Sequence, residues 1–419
     1  MKHLIKKLSS EKRNIFSIMS TSILGSIVSL IMVLSFANLL DATSLGVYQY
    51  IISIVSIIGA ISLTGIPTTL VRAISKKDYS FMLIAKKWLW IGSLGGIAVA
   101  GIISLYYLYK INFGFALSIF VGTILYLWIQ VLYRFTALFA ALEKVKTLNH
   151  LLKLHALSPL FFVLPALFLT TDPHILAILY FTGNLVSFIV GIYFLKMKDV
   201  ERTILTHISE DVSTPKKNRD YFMFSIHQSF ISLFNTAGGN IDKIILFQML
   251  GPEQTAMYYI ATSVPNRLRG ILKQFDIYLF AKFAKLTSSD ANQKMRYWFF
   301  ITIFSIIPIC ILYLLITPSF FRIFMPQYID TVNLALIYGL SLFATAEMLP
   351  RSVMKAHAES NIFYRFSIIS TIIRILLIIT GILVAGLTGA IIGATISILL
   401  NTGVLYFLQF TLKSTEKSE

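Results

Sequence analysis

Three arginines lie deep within long apolar segments of this sequence. At about 1.5 Å per helical residue, Arg374 lies roughly 20 Å from the inner end of its segment, and Arg267 reaches a comparable depth with Arg269 close by. A basic residue at the bilayer centre costs about 2.5–3.5 kcal/mol, so each needs a partner or an aqueous cavity. Because a planar guanidinium binds two phosphate oxygens at once, these arginines predict a site for an anionic, phosphorylated substrate.

Acidic residues are scarcer at this depth. Lys243 and Asp242 are adjacent in the outer third of another apolar segment, and Lys243 is equally consistent with a structural ion pair and with a substrate contact. Asp242, Glu347 and Asp276 are the acids placed to couple transport to a proton or sodium gradient, and the choice of ion stays open. No cofactor is expected. Cys310 is the only cysteine, so an intrachain disulfide and a cysteine-based metal site are both excluded.

The composition is that of a membrane protein. Of the 419 residues 56% are hydrophobic and only 13% are charged, and the mean hydropathy is +0.77. Soluble domains are about 45–50% apolar and about 25% charged. The net charge of +17 would suggest nucleic acid as a partner of a soluble protein. Here the basic residues are scattered through short loops, so no nucleic-acid partner is expected and membrane lipids are.

Apolar stretches of about 20 residues, long enough to cross a bilayer as helices, recur along the whole chain. They predict an all-α polytopic protein with twelve transmembrane helices. The predicted spans are residues 14–40, 45–71, 88–108, 113–140, 150–170, 174–195, 221–250, 254–280, 297–317, 331–355, 362–385 and 387–410.

The loops differ in charge from one side of the predicted membrane to the other. Lysine and arginine concentrate before the first span and in the loops that follow spans two, four, six and eight. The alternate loops at residues 41–46, 251–253 and 386–388 contain neither. By the positive-inside rule, both termini are expected in the cytoplasm, and the polar stretch at residues 196–220 is expected to be a cytoplasmic linker.

The two halves resemble each other at an offset of 210 residues. The pairs include Leu40 with Leu250, Tyr48 with Tyr258, Ser53 with Ser263, Ile61 with Ile271 and Trp88 with Trp298. Six spans precede the linker and six follow it, so the repeats run parallel and predict a transporter that works by alternating access between two rocking lobes. The predicted lobes are residues 1–195 and 221–412, with residues 196–220 as linker and 413–419 as a cytoplasmic tail.

Three short motifs resemble a known superfamily. They are LLDATSLGVY at residues 39–48, VRA at residues 71–73, and NIDKIIL at residues 240–246 followed by LGPE at residues 250–253. These motifs look like the polysaccharide-transport branch of the multidrug/oligosaccharidyl-lipid/polysaccharide exporter superfamily, and most resemble Wzx-type O-antigen flippases. The resemblance implies a MATE-like fold with a cationic central cavity, to which Arg267, Arg269 and Arg374 correspond by depth.

The resemblance also implies a function, which is movement of undecaprenyl-pyrophosphate-linked oligosaccharide units across the bacterial inner membrane for O-antigen lipopolysaccharide or a related surface polysaccharide. A polysaccharide polymerase and a chain-length regulator are further expected partners. Two alternatives stay open: a multidrug or cation exporter of the same fold, which the basic residues disfavour, and a membrane-embedded glycan polymerase. No cluster of external histidines or carboxylates suggests catalysis, so a non-enzymatic carrier is expected.

Overall fold

The computed structural model describes residues 2–75, 78–142, 144–201, 215–272, 279, 283, 288–357 and 360–415, and these ranges contain helices and turns but no strand. The α-helices are α1 (Lys2–Leu39), α2 (Ala42–Ala60), α3 (Ile66–Ser75), α4 (Phe81–Tyr109), α5 (Phe113–Ala141), α6 (Val145–Leu167), α7 (Pro173–Phe194), α8 (Pro215–Leu250), α9 (Pro252–Leu272), α10 (Ser288–Phe324), α11 (Val332–Gly339), α12 (Met348–His357) and α13 (Ser360–Thr415). Two 3-10 helices are η1 (Pro326–Thr331) and η2 (Leu340–Glu347).

The predicted all-α architecture with twelve spans is confirmed. Within the described ranges, nine segments are long and apolar enough to cross a membrane, and the last of these, Arg365–Gln409, is long enough for two crossings. The polar helices α8 and α9 correspond to the seventh and eighth predicted spans. The part of the eighth span at residues 273–278 lies outside the described residues.

Packing divides the chain into two compact units. The first comprises Met1–Val28 and Val47–Ile244, and the second comprises Ser29–Gly46 and Ile245–Glu419. Three helices, α1, α2 and α8, therefore contribute residues to both units. The lobe boundaries expected from the sequence stay a prediction.

The first unit has a core of large aromatic and aliphatic side chains. Phe81 on α4, Phe135 on α5 and Phe188 on α7 are almost fully buried in one hydrophobic cluster. The strongest helix contacts are between α4 and α5, between α6 and α7, and between α5 and α7. Because lipid tails are as apolar as these side chains, van der Waals packing between the helices stabilises this core.

The second predicted span is not one continuous helix in the structure. Helix α2 ends at Ala60 and α3 begins at Ile66, with a turn between them in which Leu63 has φ of 57°. Gly65 lies against the backbone of α8, and its N–H donates to Ser229 Oγ at 2.9 Å. A Cβ at Gly65 would collide with that backbone, so the turn depends on glycine at this position.

The tenth predicted span is also interrupted in the structure, where it becomes η1, α11, η2 and α12. Pro350 has no N–H to donate to the Ala346 carbonyl four residues earlier. That carbonyl instead accepts a hydrogen bond from Tyr406 Oη at 2.9 Å. A side chain of α13 thus satisfies the backbone group that proline leaves without its helical partner.

Helix α13 folds back on itself, as the predicted boundary between the last two spans requires. Ala385 and Gly386 have non-helical backbone angles, and Gly386 has φ of 57°. On either side of this bend, Gly381 and Gly389 face one another so closely that a Cβ on either would collide with the backbone carbonyl of the other. The two arms therefore meet backbone to backbone, as small residues allow in membrane helices.

The N-terminal ends of α2 and α9, which correspond in the 210-residue repeat, lie together in the second unit. Thr43 Oγ1 is 3.4 Å from Glu253 Oε1, and these two residues occupy equivalent repeat positions. Gly46 packs directly against the Pro252 carbonyl. Nearby, the Ser44 N–H donates to Asp41 Oδ2 at 3.0 Å, and hydrogen bonds from Ser44 hold the pKa of the Asp41 carboxyl below its usual range.

Replacing Gly389 by valine should separate the two arms of α13. The valine side chain has no space beside the Gly381 carbonyl, and overpacking of this kind costs about 1–3 kcal/mol. We expect a lower temperature of unfolding for Gly389→Val, measured on the purified protein in detergent. Gly95→Val on α4 is the matched control, because a Cβ there meets no atom within 4 Å. Equal unfolding temperatures for the two variants would contradict the close approach.

Candidate functional site

One face of α9 holds Arg267 in a fixed position. Tyr259, Ser263 and Arg267 are spaced four residues apart, so they lie along one face of the helix. The Arg267 guanidinium donates from Nε to Ser29 Oγ at 3.0 Å, from Nη1 to the Ser263 carbonyl at 3.2 Å and from Nη2 to Tyr259 Oη at 3.4 Å. It also lies 5.8 Å from the centroid of the Tyr259 ring. All of these groups belong to the second unit.

Space remains beside this arginine. Arg267 is only partly buried, and the neighbouring Asn266 is exposed although its Oδ1 accepts a hydrogen bond from Tyr338 Oη at 3.0 Å. Gly270 lies almost one turn further along α9, and a Cβ built there would meet no atom within 4 Å. The three hydrogen bonds leave some of the five N–H groups of Arg267 for a ligand. Arg267 is therefore an oriented cation next to open space.

Arg269 points elsewhere, into a buried ionic cluster that we call the arginine triad: Arg269, Glu347 and Arg351. Glu347 is 5% exposed and Arg269 is 8% exposed. Arg269 Nη2 lies 3.9 Å from Glu347 Oε1, and Arg351 Nη2 lies 3.5 Å from Glu347 Oε2. The triad thus joins α9, the end of η2 and the first turns of α12.

Arg267 and Arg269 consequently form two separate loci. Residues two positions apart in a helix are separated by about 200° around the axis, so these two side chains leave α9 on opposite sides. The sequence analysis assigned Arg267 and Arg269 to one cationic site because they lie at a similar predicted depth in the membrane. In the structure Arg267 contacts Ser29 of α1, whereas Arg269 contacts Glu347 of η2. A single phosphate cannot contact both guanidinium groups in this arrangement.

Arg374 lies in the first arm of α13, eleven residues before the bend at Ala385. At about 1.5 Å per residue it is roughly 16 Å from that end, which agrees with a position near the middle of a bilayer. The side chain is partly buried. One turn earlier, Thr371 is buried and its hydroxyl donates to the Ser367 carbonyl at 2.8 Å.

Lys243 and Asp242 belong to the first unit, on α8. Asp242 is 3% exposed, and its Oδ1 accepts a hydrogen bond from the Lys243 backbone N–H at 3.0 Å. Lys243 is partly buried, and Gly239 one turn earlier has no atom within 4 Å of a built Cβ. The predicted coupling residue Asp276 lies outside the described residues.

Sequence reasoning missed the groups that orient the arginines. These groups include Ser29 and Tyr259, whose hydroxyl oxygens accept hydrogen bonds from Arg267. The spacing of Tyr259, Ser263 and Arg267 at four-residue intervals is a signal that could have revealed this arrangement. Glu347 and Arg351 are also four residues apart, the spacing of a helical ion pair. Among the described residues no group of three or more His, Cys, Asp or Glu side chains could hold a metal ion.

Comparison with protein families decides the membership of the chain. The family described as "Polysaccharide biosynthesis protein" matches residues 12–275, which is more than half of the sequence. The chain belongs to this family. The predicted resemblance to the polysaccharide branch of the exporter superfamily is thereby confirmed. No curated protein sequence matches the chain.

Solved structures agree on the fold. An inward-facing multidrug resistance MATE transporter of the MOP superfamily is similar with a TM-score of 0.61 and 13% identity over 96% of each chain. A point mutant of the Vibrio cholerae MATE transporter VcmN has a TM-score of 0.61 and 16% identity over 98% of each chain. The lipid II flippase MurJ in an inward closed conformation has a TM-score of 0.66 and 13% identity, covering 94% of this chain and 86% of MurJ.

The protein is therefore a multi-pass membrane protein of a polysaccharide biosynthesis family, with the fold of MATE transporters and MurJ. The structural likeness, at these identities, shows the fold alone.

Proposed function

We propose that the protein is a flippase. It moves undecaprenyl-pyrophosphate-linked oligosaccharide units, of O-antigen or a related surface polysaccharide, from the inner to the outer leaflet of the bacterial inner membrane by alternating access. Family membership supports the polysaccharide pathway. The main support for a phosphorylated substrate is Arg267. Three hydrogen bonds orient its guanidinium, and there is open space at Gly270 nearby on the same helix.

Arg267 suits a pyrophosphate better than an organic cation. Its hydrogen bonds to Ser29, Tyr259 and the Ser263 carbonyl fix the plane of the fork before a ligand arrives, which lowers the entropy lost on binding. Arg374, in the same unit, is proposed as a second phosphate contact. Lys243, on α8 of the first unit, is proposed separately as a substrate contact. A cationic drug would be repelled by such groups, so this geometry does not favour multidrug export.

Transport also needs a step that resets the empty carrier, because equal affinity in the inward and outward states would trap the substrate. Coupling to a proton or sodium gradient is proposed to supply that step. Asp242 is a buried carboxylate on α8, and Glu347 is a buried carboxylate in the arginine triad. Asp276 is kept as a further proposed coupling residue. A polysaccharide polymerase and a chain-length regulator are proposed partners that receive the flipped units.

Arg267→Ala should weaken pyrophosphate binding and block flipping. Losing hydrogen bonds from a charged group costs about 1.5–3 kcal/mol, which corresponds to about a tenfold to hundredfold loss of affinity. Complementation of a flippase-null strain measures this as loss of surface polysaccharide with accumulation of lipid-linked intermediates inside. Arg267→Lys keeps the charge without the fork and should restore flipping only in part.

Arg322→Ala is the matched control for that experiment, because Arg322 is an exposed arginine in the last turn of α10. It should complement like the unaltered chain at equal protein level. Undiminished surface polysaccharide with Arg267→Ala would contradict the phosphate assignment. If the unaltered chain fails to restore surface polysaccharide and instead confers drug resistance, multidrug export replaces the proposed function.

The proposed orientation, with both termini in the cytoplasm, can be tested by cysteine labelling. Cys310→Ser removes the only cysteine. In that background, Thr171→Cys in the exposed loop between α6 and α7 should react with a membrane-impermeant maleimide in intact cells. Lys146→Cys, in the exposed first turn of α6, should react only after permeabilisation. The reverse labelling pattern would contradict the orientation.

A further inference from the structure

The ion pairs of the arginine triad are unusually loose. Its two nitrogen to oxygen distances are 3.9 and 3.5 Å, whereas charge-assisted hydrogen bonds are typically about 2.7–2.9 Å. Elsewhere in the protein, Arg134 and Glu201 form a tighter pair, with Nε to Oε1 at 3.2 Å in hydrogen-bonding geometry. In both pairs the opposite charges thus lie further apart than in a charge-assisted hydrogen bond.

Two buried donors of the triad are also unsatisfied. Arg269 Nε and Arg351 Nε are buried, and neither has a hydrogen-bond partner among the described residues. A buried donor left without an acceptor costs about 1–3 kcal/mol, and more for a charged group. Arg269 is more than nine-tenths buried, so bulk water does not readily satisfy it. The two arginines therefore have hydrogen-bonding capacity that Glu347 alone does not use.

The local charge favours an additional anion. Two guanidinium groups face one carboxylate. Tyr406 of α13 donates to the Ala346 carbonyl beside Glu347. Tyr338 of α11 donates to Asn266. Helix α10 contributes apolar side chains such as Phe299 and Ile303 to this region. The Arg351 side chain is 33% exposed, which leaves one side of the triad accessible.

We propose that Glu347 is an internal placeholder for a phosphate oxyanion. In the empty carrier its carboxylate occupies Arg269 and Arg351. A phosphate group of the substrate displaces it from the guanidiniums, and the freed carboxylate takes up one proton from solvent to become a neutral carboxylic acid. No covalent bond other than the new O–H forms. This inference rests on the proposed function, since it assigns a further phosphate contact, and proton uptake on binding, to the same substrate.

Proton uptake follows from burial. Glu347 is 5% exposed, and an ionised carboxylate that has lost its positive partners at such a site is strongly disfavoured. Binding that takes up a proton becomes tighter as pH falls, by up to about tenfold per pH unit for one fully linked proton. When the phosphate leaves, Glu347 returns to its arginines and loses the proton. Phosphate occupancy and protonation of Glu347 are thereby linked.

The test uses the full-length protein in lipid nanodiscs with two probes, inorganic pyrophosphate and farnesyl pyrophosphate. Calorimetric titrations in two buffers of different ionisation enthalpy give the number of protons taken up on binding. We expect Glu347→Gln to bind either probe at least as tightly as the unaltered chain and to take up about one proton fewer. Its affinity should also lose the extra dependence on pH. Glu253→Gln, which changes an exposed carboxylate in the first turn of α9, should keep the original proton count.

The outcomes separate this inference from the proposed function. Equal proton uptake by the unaltered chain and Glu347→Gln overturns the placeholder role while the flippase assignment stands. Failure of both probes to bind the unaltered chain contradicts both. Binding of farnesyl pyrophosphate alone identifies a lipid-linked phosphate as the ligand, and equal binding of both probes identifies the phosphate group itself. Should Glu347→Gln not fold, Arg351→Gln must lower the affinity for the bound probe about tenfold, and unchanged affinity overturns the inference.

Discussion

A bilayer interior offers no water to hydrogen-bonding groups, and the structure of this protein depends on how that constraint is met. Helices satisfy most backbone groups internally, and side chains of neighbouring segments satisfy the remainder. Ala346 is the clearest example, because proline at position 350 removes its helical donor and Tyr406 replaces it. The interruption at η2 is tolerated for this reason. It also places Glu347 at a break in the helix, where it meets arginines from α9 and α12.

The same constraint applies to charges, and it is met in three different ways. Arg134 forms a hydrogen-bonded ion pair with Glu201, which is a structural solution. Arg267 is held by neutral oxygen atoms, so its positive charge is oriented but not neutralised by the partners that hold it. The arginine triad is neutralised only in part and has buried donors to spare. The second and third arrangements fit the proposed binding of an anion, because full pairing would leave the arginines no capacity for a ligand.

Close backbone contacts provide the frame on which these groups are held. Gly381 and Gly389 bring the arms of α13 together, and Gly46 allows the N-terminal end of α2 to contact Pro252. Such contacts leave no room for side chains, so they hold helices at defined separations. The proposed carrier must present an oriented guanidinium in one state and release its ligand in another. It therefore needs helices that stay at defined separations.

The amino-acid sequence alone determined the class of the protein. The lengths of the apolar segments predicted twelve spans, and short motifs together with the 210-residue repeat predicted the family. Both signals can be read directly from the order of residues in the chain. The deep arginines were visible for the same reason, since a charge in an apolar run needs no structure to be noticed. Only the tertiary structure decided which of them act together. Arg267 and Arg269 are two residues apart in sequence, yet their side chains diverge around α9 and meet Ser29 and Glu347, which are far away in the chain. Depth can be counted from a sequence, whereas the direction of a side chain and the distant group it meets are set by helix packing.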